Sequence, residues 1–159
     1  MTALDDLDAA LVEQLRAEPR ATEARLARLL GVARGTVHAR IDRMQARGVI
    51  TGFGPDVDGP AIGFGVLAFV TLEITQGADQ GIVDQLAAID EVLEIHAVSG
   101  SGDLVCRTVA RSNDHLHDLI QRMLDVPGIS RTETQLALKT LLRRSEADLA
   151  ATLAMGHRS

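Results

Sequence analysis

Eight arginines, at positions 16, 20, 25, 28, 34, 40, 43 and 47, share residues 16–47 with three acids, Glu18, Glu23 and Asp42, a local charge of +5. Over residues 55–159 eight basic residues meet 15 acids, a local −7. A basic segment on an acidic body is the asymmetry expected when one part of a chain meets a polyanion and the other does not. On charge alone, a solvated arginine-rich helical surface is an equal alternative. The second constellation is Ser99-Gly100-Ser101-Gly102-Asp103. A phosphate-cradling loop must lead into a helix, and this one leads into an apolar strand pattern. A serine nucleophile elbow needs Gly two residues either side, and Ser99 stands two before Ser101. The exposed amides of such a turn can hold a carboxylate while Asp103 holds an ammonium group, the two ends of an α-amino acid. Residue chemistry alone favours the plainer reading, a turn that needs Gly for positive φ with Asp103 bonded to its own backbone.

Other reactive side chains offer less. His115 and His117 are two apart on a predicted helix, about 200° around it, and cannot share a metal face. His96 reads as the edge of a core, Cys106 as a small core residue, and Asp90-Glu91 as a solvated loop pair. No metal site and no cofactor are expected.

The elements that must position these residues follow from periodicity. Leu4, Leu7, Leu11 and Leu15 make one stripe of a helix that Pro19 closes. Thr22 can cap a second helix with Leu26, Leu29 and Leu30 inward and Gly31 as its left-handed stop. A third helix begins just after Val32, buries Val37, Ile41 and Met44, and ends at Gly48. The short Gly-containing turn between the last two makes a helix-turn-helix. Val49–Phe53 reads as a short strand, and the glycines and prolines of 52–64 as a linker. Beyond it come a strand over 65–74, a helix over 79–89, strands over 92–98 and 103–110, a helix over 113–124 and a strand over 130–139. That is βαβ twice, a ferredoxin-like βαββαβ domain with an antiparallel sheet, so the fold class is α+β. In the first strand Val66, Ala68, Val70 and Leu72 point one way while Leu67 and Phe69 point the other. An apolar second face predicts another sheet packed on it, most simply from a second copy of the chain. Ser145 can cap a last helix over 145–155. The expected units are 1–51, 52–64, 65–143 and 144–159.

Composition narrows the function classes. The chain has 159 residues, 46 % hydrophobic and 24 % charged, as an ordinary globular protein does. Three Phe with no Tyr or Trp argue against reading single strands by base stacking. The longest apolar run, Val66–Val70, is too short for a bilayer, the N-terminus lacks a signal-peptide pattern, and the one cysteine fits a reducing compartment, so a cytoplasmic location is expected.

Leu4-Asp5-Asp6-Leu7-Asp8, Leu26-Ala27-Arg28-Leu29-Leu30-Gly31-Val32, Thr36-Val37-His38-Ala39-Arg40-Ile41, Gly48-Val49-Ile50-Thr51-Gly52 and Val98-Ser99-Gly100-Ser101-Gly102-Asp103-Leu104 occur in this order. Together they resemble the leucine-responsive, or Lrp/AsnC, family of bacterial regulators over roughly residues 4–143. The resemblance implies a winged helix-turn-helix bound to double-stranded DNA and dimers formed through the C-terminal sheets, often four in a ring. It also implies an amino acid bound between dimers that tunes assembly or DNA affinity. On that reading Arg34 and His38, near the start of the third helix, face base edges. Gly35 lets the backbone approach the groove beside Thr36, and Arg20, Thr22, Arg28, Arg40 and Arg43 lie along the phosphates. The effector pocket would be Ser99–Asp103 with Thr134, Gln135 and Leu136. Ala33 stands where the family has a hydroxyl residue, which leaves the third helix without its cap and its start open to fraying or a shift. Arg34-Gly35 replace a common Pro-Ser pair, and Gln135 a common aromatic. The alternatives are an enzyme like the sirohaem decarboxylases, which share both domains, and an amino-acid-binding module whose helix-turn-helix no longer works.

Overall fold

The computed structural model describes residues 4–75 and 80–150. The chain divides into two compact units, Met1–Pro55 with Leu141–Ser159, and Asp56–Thr140.

In the first unit, α1 (Asp6–Ala17) starts at Asp5, whose carboxylate accepts from the Asp8 amide at 2.9 Å, and carries Asp6 and Asp8 in its first turn. Those acids suit the positive end of the helix dipole. Thr22 caps α2 (Glu23–Leu30) by accepting from the Arg25 amide at 3.3 Å, and Gly31 closes it at φ 67°. The third helix, α3 (Arg34–Ala46), does begin just after Val32; Ala33 is extended and offers no side-chain cap. The missing cap therefore neither shifts nor shortens it. Leu11, Leu26, Ala27, Val37 and Met44 form the core, with Leu4, Leu7, Leu15, Leu30, Ile41 and Ile50 packed around them. Leu29 departs from expectation, 48 % exposed. Leu26 and Leu30, one turn apart, face inward with Ala27 on their buried flank, and Leu29, about 200° around the helix from Ala27, falls on the opposite flank toward solvent.

Residues 49–58 form no strand. A strand exists only where a neighbouring strand answers its amides and carbonyls; the Val49 and Ile50 amides instead turn back to the Met44 carbonyl, and no strand pairs with Val49–Phe53 among the described residues. At the other end, residues 146–150 are helical and Ser145 accepts and donates with Asp148 as a capping pair: Ser145 N–H to the Asp148 carboxylate at 2.8 Å, Asp148 N–H to the Ser145 carbonyl at 3.1 Å. Arg16 of α1 pairs with Asp148 at 3.1 Å, so this segment belongs to the first unit and not to an independent tail. The rest of the helix expected over 145–155 lies outside the described residues.

The second unit has β1 (Val66–Ile74), α4 (Gln80–Ala87), β2 (Val92–Ala97), β3 (Leu104–Ala110), α5 (Asn113–Leu124) and β4 (Ile129–Leu136). Its antiparallel sheet runs β2-β3-β1-β4. One face, including Ala68, Val70, Leu72, Leu104, Cys106 and Ala110, packs against Ile82 and Leu86 of α4 and Leu116, Leu119 and Met123 of α5. Thr108 is buried there with its hydroxyl donating to the Ala68 carbonyl at 3.1 Å. Burial pushes the Cys106 thiol up to about 11, which keeps it protonated and inert. The other face carries Leu67, Phe69, Val105 and Val109 in its central strands, with Phe69 39 % exposed. The two-sided apolar pattern of β1 is thus real. Glu91 is a correction: far from being solvated, it accepts from His115 Nε2 at 3.0 Å and from Arg122 at 2.9 Å. The Arg111 amide donates to His115 Nδ1 at 3.1 Å, so the Nε2 nitrogen carries the proton.

Candidate functional site

The exposed side of α3 begins with Arg34, Gly35 and Thr36, followed by His38, while Val37 and Met44 beneath them are buried. Arg34 is the most open of the helix's paired side chains, at 73 %. Its Nε donates to Glu23 at 3.1 Å, and the other oxygen of Glu23 meets His38 Nδ1 at 2.8 Å. Arg20 and Arg28 are exposed before and on α2. The residues expected to face base edges are thus exposed side by side at the N-terminal end of α3.

The arginines further along α3 behave differently. Arg40 donates to Asp5 and, at 2.8 Å, to Asp8. Arg43 reaches Asp8 at 2.9 and 3.1 Å. Asp8 is 1 % exposed, a buried carboxylate between two guanidiniums. Arg40, expected along the phosphates, is thus committed to α1 with its side chain 23 % exposed, because a buried carboxylate holds a cation far more firmly than solvent does. Arg43 stays 47 % exposed and keeps a face toward solvent. Thr22 spends its hydroxyl oxygen on the α2 cap. The sequence offered the +5 but not these partners. With Asp5, Asp6, Asp8 and Glu13 counted, the excess over residues 1–47 falls from +5 to +1.

Charge states follow from the pairs. Hydrogen bonding to Glu23, helped by the nearby Asp42, holds the His38 pKa above its ordinary value. Hydrogen bonding to His38 and Arg34 holds Glu23 below its own. The Arg40 guanidinium holds Asp5 low. The His38 contacts thus help the folded state fully below the ordinary histidine pKa and fade as pH rises through the raised one. The Asp5 contact is intact above the ordinary carboxylate range and is lost as pH falls through the lowered one.

In the second unit, Ser99, Gly100 and Ser101 are exposed, with Gly100 at φ 124° and Gly102 at φ 91°. The Asp103 amide donates to the Leu72 carbonyl at 2.8 Å, and its carboxylate accepts from the Ile74 amide at 2.8 Å. The Asp103 carboxylate is therefore bonded to backbone, but across to β1 and not to its own turn as the plainer reading has it; within the turn it is the Asp103 carbonyl that is engaged, by the Val98 amide at 3.0 Å. Thr134, Gln135 and Leu136 pair with Val70, Phe69 and Ala68 on the far side of β1. Two strand spacings and about four residues of strand separate Gln135 from Asp103, roughly 16 Å. Gln135 lies on the Phe69 face, whereas Thr134 and Leu136 lie on the helix side. One copy does not bring the two halves of the expected pocket together.

Among the described residues no cluster of His, Cys, Asp and Glu could hold a metal, and no helix is long and apolar enough to cross a membrane.

Residues 4–51 match the family model for a winged helix-turn-helix DNA-binding domain, and residues 67–147 the model for the Lrp/AsnC ligand binding domain. The regulatory protein AsnC of Escherichia coli K12 is 31 % identical, covering 89 % of this chain and 95 % of its own. The HTH-type transcriptional regulator FL11 of Pyrococcus horikoshii is 27 % identical, covering 86 % and 91 %. The solved E. coli AsnC superposes with a TM-score of 0.83 at 30 % identity, over 91 % of this chain and 98 % of that one. A feast or famine regulatory protein from Mycobacterium tuberculosis, solved in complex with L-methionine, gives 0.81 at 31 % identity, over 89 % and 96 %. These relatives are regulators and not enzymes, which disfavours the decarboxylase alternative. The chain belongs to the Lrp/AsnC family of transcriptional regulators.

Proposed function

We propose that α3 enters the major groove of double-stranded DNA with Arg34, Gly35, Thr36 and His38 foremost, and that Arg20, Arg28 and Arg43 lie along the phosphates. The observation that carries this is the exposure of all four leading residues directly above buried Val37 in a helix-turn-helix. Arg40 is left out of the phosphate set because Asp5 and Asp8 occupy it. The second unit takes an α-amino acid as effector, a reading supported by the methionine bound to the M. tuberculosis relative. The distance between the Ser99–Asp103 loop and Thr134–Leu136 exceeds an amino acid's length. If both halves contribute, they come from different copies, which fits an effector bound between dimers. Dimers would form through the Leu67–Phe69–Val105–Val109 face, and a ring of four dimers would follow from the family pattern. No cofactor is required, and a cytoplasmic site of action fits a DNA-binding protein.

The test is a gel shift on DNA from upstream of the protein's own gene, with each proteinogenic amino acid in turn. Retardation that weakens with salt and changes with one or a few amino acids is expected. Retardation that no amino acid alters retires the effector, and none at low salt retires the DNA-binding reading in favour of the amino-acid-binding module. For the interface, Phe69→Glu places two like charges across a twofold contact. It should weaken the dimer by several kcal/mol, more than about a hundredfold. Sedimentation that shows an unchanged mass at micromolar concentration assigns the interface elsewhere.

A further inference from the structure

Glu23 is the first residue of α2, Arg34 the first of α3, and His38 lies one turn further on. The Glu23 side chain is 30 % exposed, beneath an Arg34 that is 73 % and a His38 that is 61 % exposed. One carboxylate oxygen takes Arg34 Nε and the other takes His38 Nδ1, while Asp42 stands 3.3 Å from His38 Nε2. Glu23, Arg34, Gly35 and His38 line one shallow depression at the start of α3. Exposed ion pairs like these contribute little to stability. What they do fix is direction.

We propose that Glu23 is the positioning residue that sets DNA sequence preference, by holding Arg34 and His38 in one orientation toward the base edges. The proposal rests on the reading of α3 as the DNA-contacting helix. An unrestrained arginine has many rotamers and can satisfy itself on any phosphate. With Nε held by Glu23, the two terminal amino groups remain as a fork, the geometry that meets guanine O6 and N7 together. His38 makes this arrangement pH-dependent. The charged groups that face it are Glu23 from α2 and Arg34 and Asp42 from α3. As an imidazolium it donates to Glu23 and turns a positive charge toward Asp42. As a neutral ring it has one proton, and a lone pair then faces a carboxylate, which drives that part of the cluster apart. Sequence discrimination therefore falls as pH rises through the His38 pKa.

The experiment uses the full-length protein, a duplex enriched by it from a random library, and the same duplex with each base pair changed in turn, read by fluorescence anisotropy. Arg34→Ala should cost about tenfold in discrimination at one or two base pairs. Glu23→Gln should cost a similar factor at the same base pairs while binding unselected duplex at least as tightly. In the parent the discrimination ratio should fall as pH rises from the ordinary histidine pKa through the raised one of His38, and in Glu23→Gln it should be flat. The proposal is overturned if Glu23→Gln keeps the preference that Arg34→Ala loses, if the two relax different base pairs, or if Glu23→Gln weakens all duplexes alike. A parent ratio that is flat with pH removes the His38 part. If the parent enriches no sequence at all, the reading of α3 as a sequence reader falls, a result distinct from any of these.

Discussion

Asp8→Ala lowers the stability of the helix-turn-helix unit by about 2–3 kcal/mol, the lower end of what losing one partner of a buried ion pair costs. Asp8 is 1 % exposed and accepts from Arg40 at 2.8 Å and Arg43 at 2.9 Å, the polar joint between α1 and α3. The loss stays at the lower end because Arg40 keeps Asp5 and both guanidiniums can turn toward water. Arg40→Ala should cost less, about 1–2 kcal/mol, since Asp8 keeps Arg43. Hydrogen exchange reads this locally: protection of the Val37, Ile41 and Met44 amides should drop by tens- to a hundredfold in Asp8→Ala. A drop below about threefold would mean that the joint adds almost nothing. The same pair of variants decides the role of Arg40. If it is a clamp, Arg40→Ala binds DNA more weakly through partial unfolding, but its salt dependence keeps the parent slope. A slope reduced by about one would return Arg40 to the phosphates.

Local pattern was enough to find the elements, because periodicity and caps are local facts. α5 falls at Asn113–Leu124 as its leucine spacing requires, and Thr22, Gly31 and Ser145 act where their chemistry predicts. What local pattern misses is a partner distant in the chain. Asp8 reads as one more acid in a helix's first turn, and its burial depends on arginines 32 and 35 residues away. Arg40 reads as a phosphate ligand for the same reason, because Asp5 and Asp8 that hold it are far off in sequence. Glu23 and Asp42 counted as charges to subtract, when they are what orients Arg34 and His38. Glu91 sits beside Asp90 in a turn, yet α5 closes over it. The strand expected at Val49–Phe53 failed for the opposite reason, since β-propensity without a pairing partner makes no strand. The effector loop stands between these cases. Its sequence showed a turn bearing Asp103, but only the register of β1 against β3 and β4 shows that Thr134–Leu136 lie too far away in the same copy.

Gly102→Ala should destabilise the second unit by about 2–4 kcal/mol and remove the effector response, whereas Gly100→Ala should cost about 1 kcal/mol. Both glycines have positive φ, 91° and 124°, so both replacements carry backbone strain. Space separates them. Nothing lies within 4 Å of where a Gly100 Cβ would stand, but a Gly102 Cβ would be 2.3 Å from Thr71 Cγ2 and 3.3 Å from the Leu72 carbonyl oxygen. Thr71 can swing its methyl away at the cost of a β-branched rotamer change. The Leu72 oxygen cannot move, because it is strand backbone and already accepts from the Asp103 amide at 2.8 Å. The loop must therefore lift, which stretches that bond and the one from the Ile74 amide to the Asp103 carboxylate. Asp103 then loses the anchor that aims it, and an amino-acid ammonium group loses its counter-charge. Thermal melting of the second unit, with the gel shift repeated across the amino-acid panel, reads both effects. Equal melting points for the two alanine variants would show that the Thr71 contact is absorbed. A Gly102→Ala protein that keeps its full amino-acid response would place the effector away from this loop.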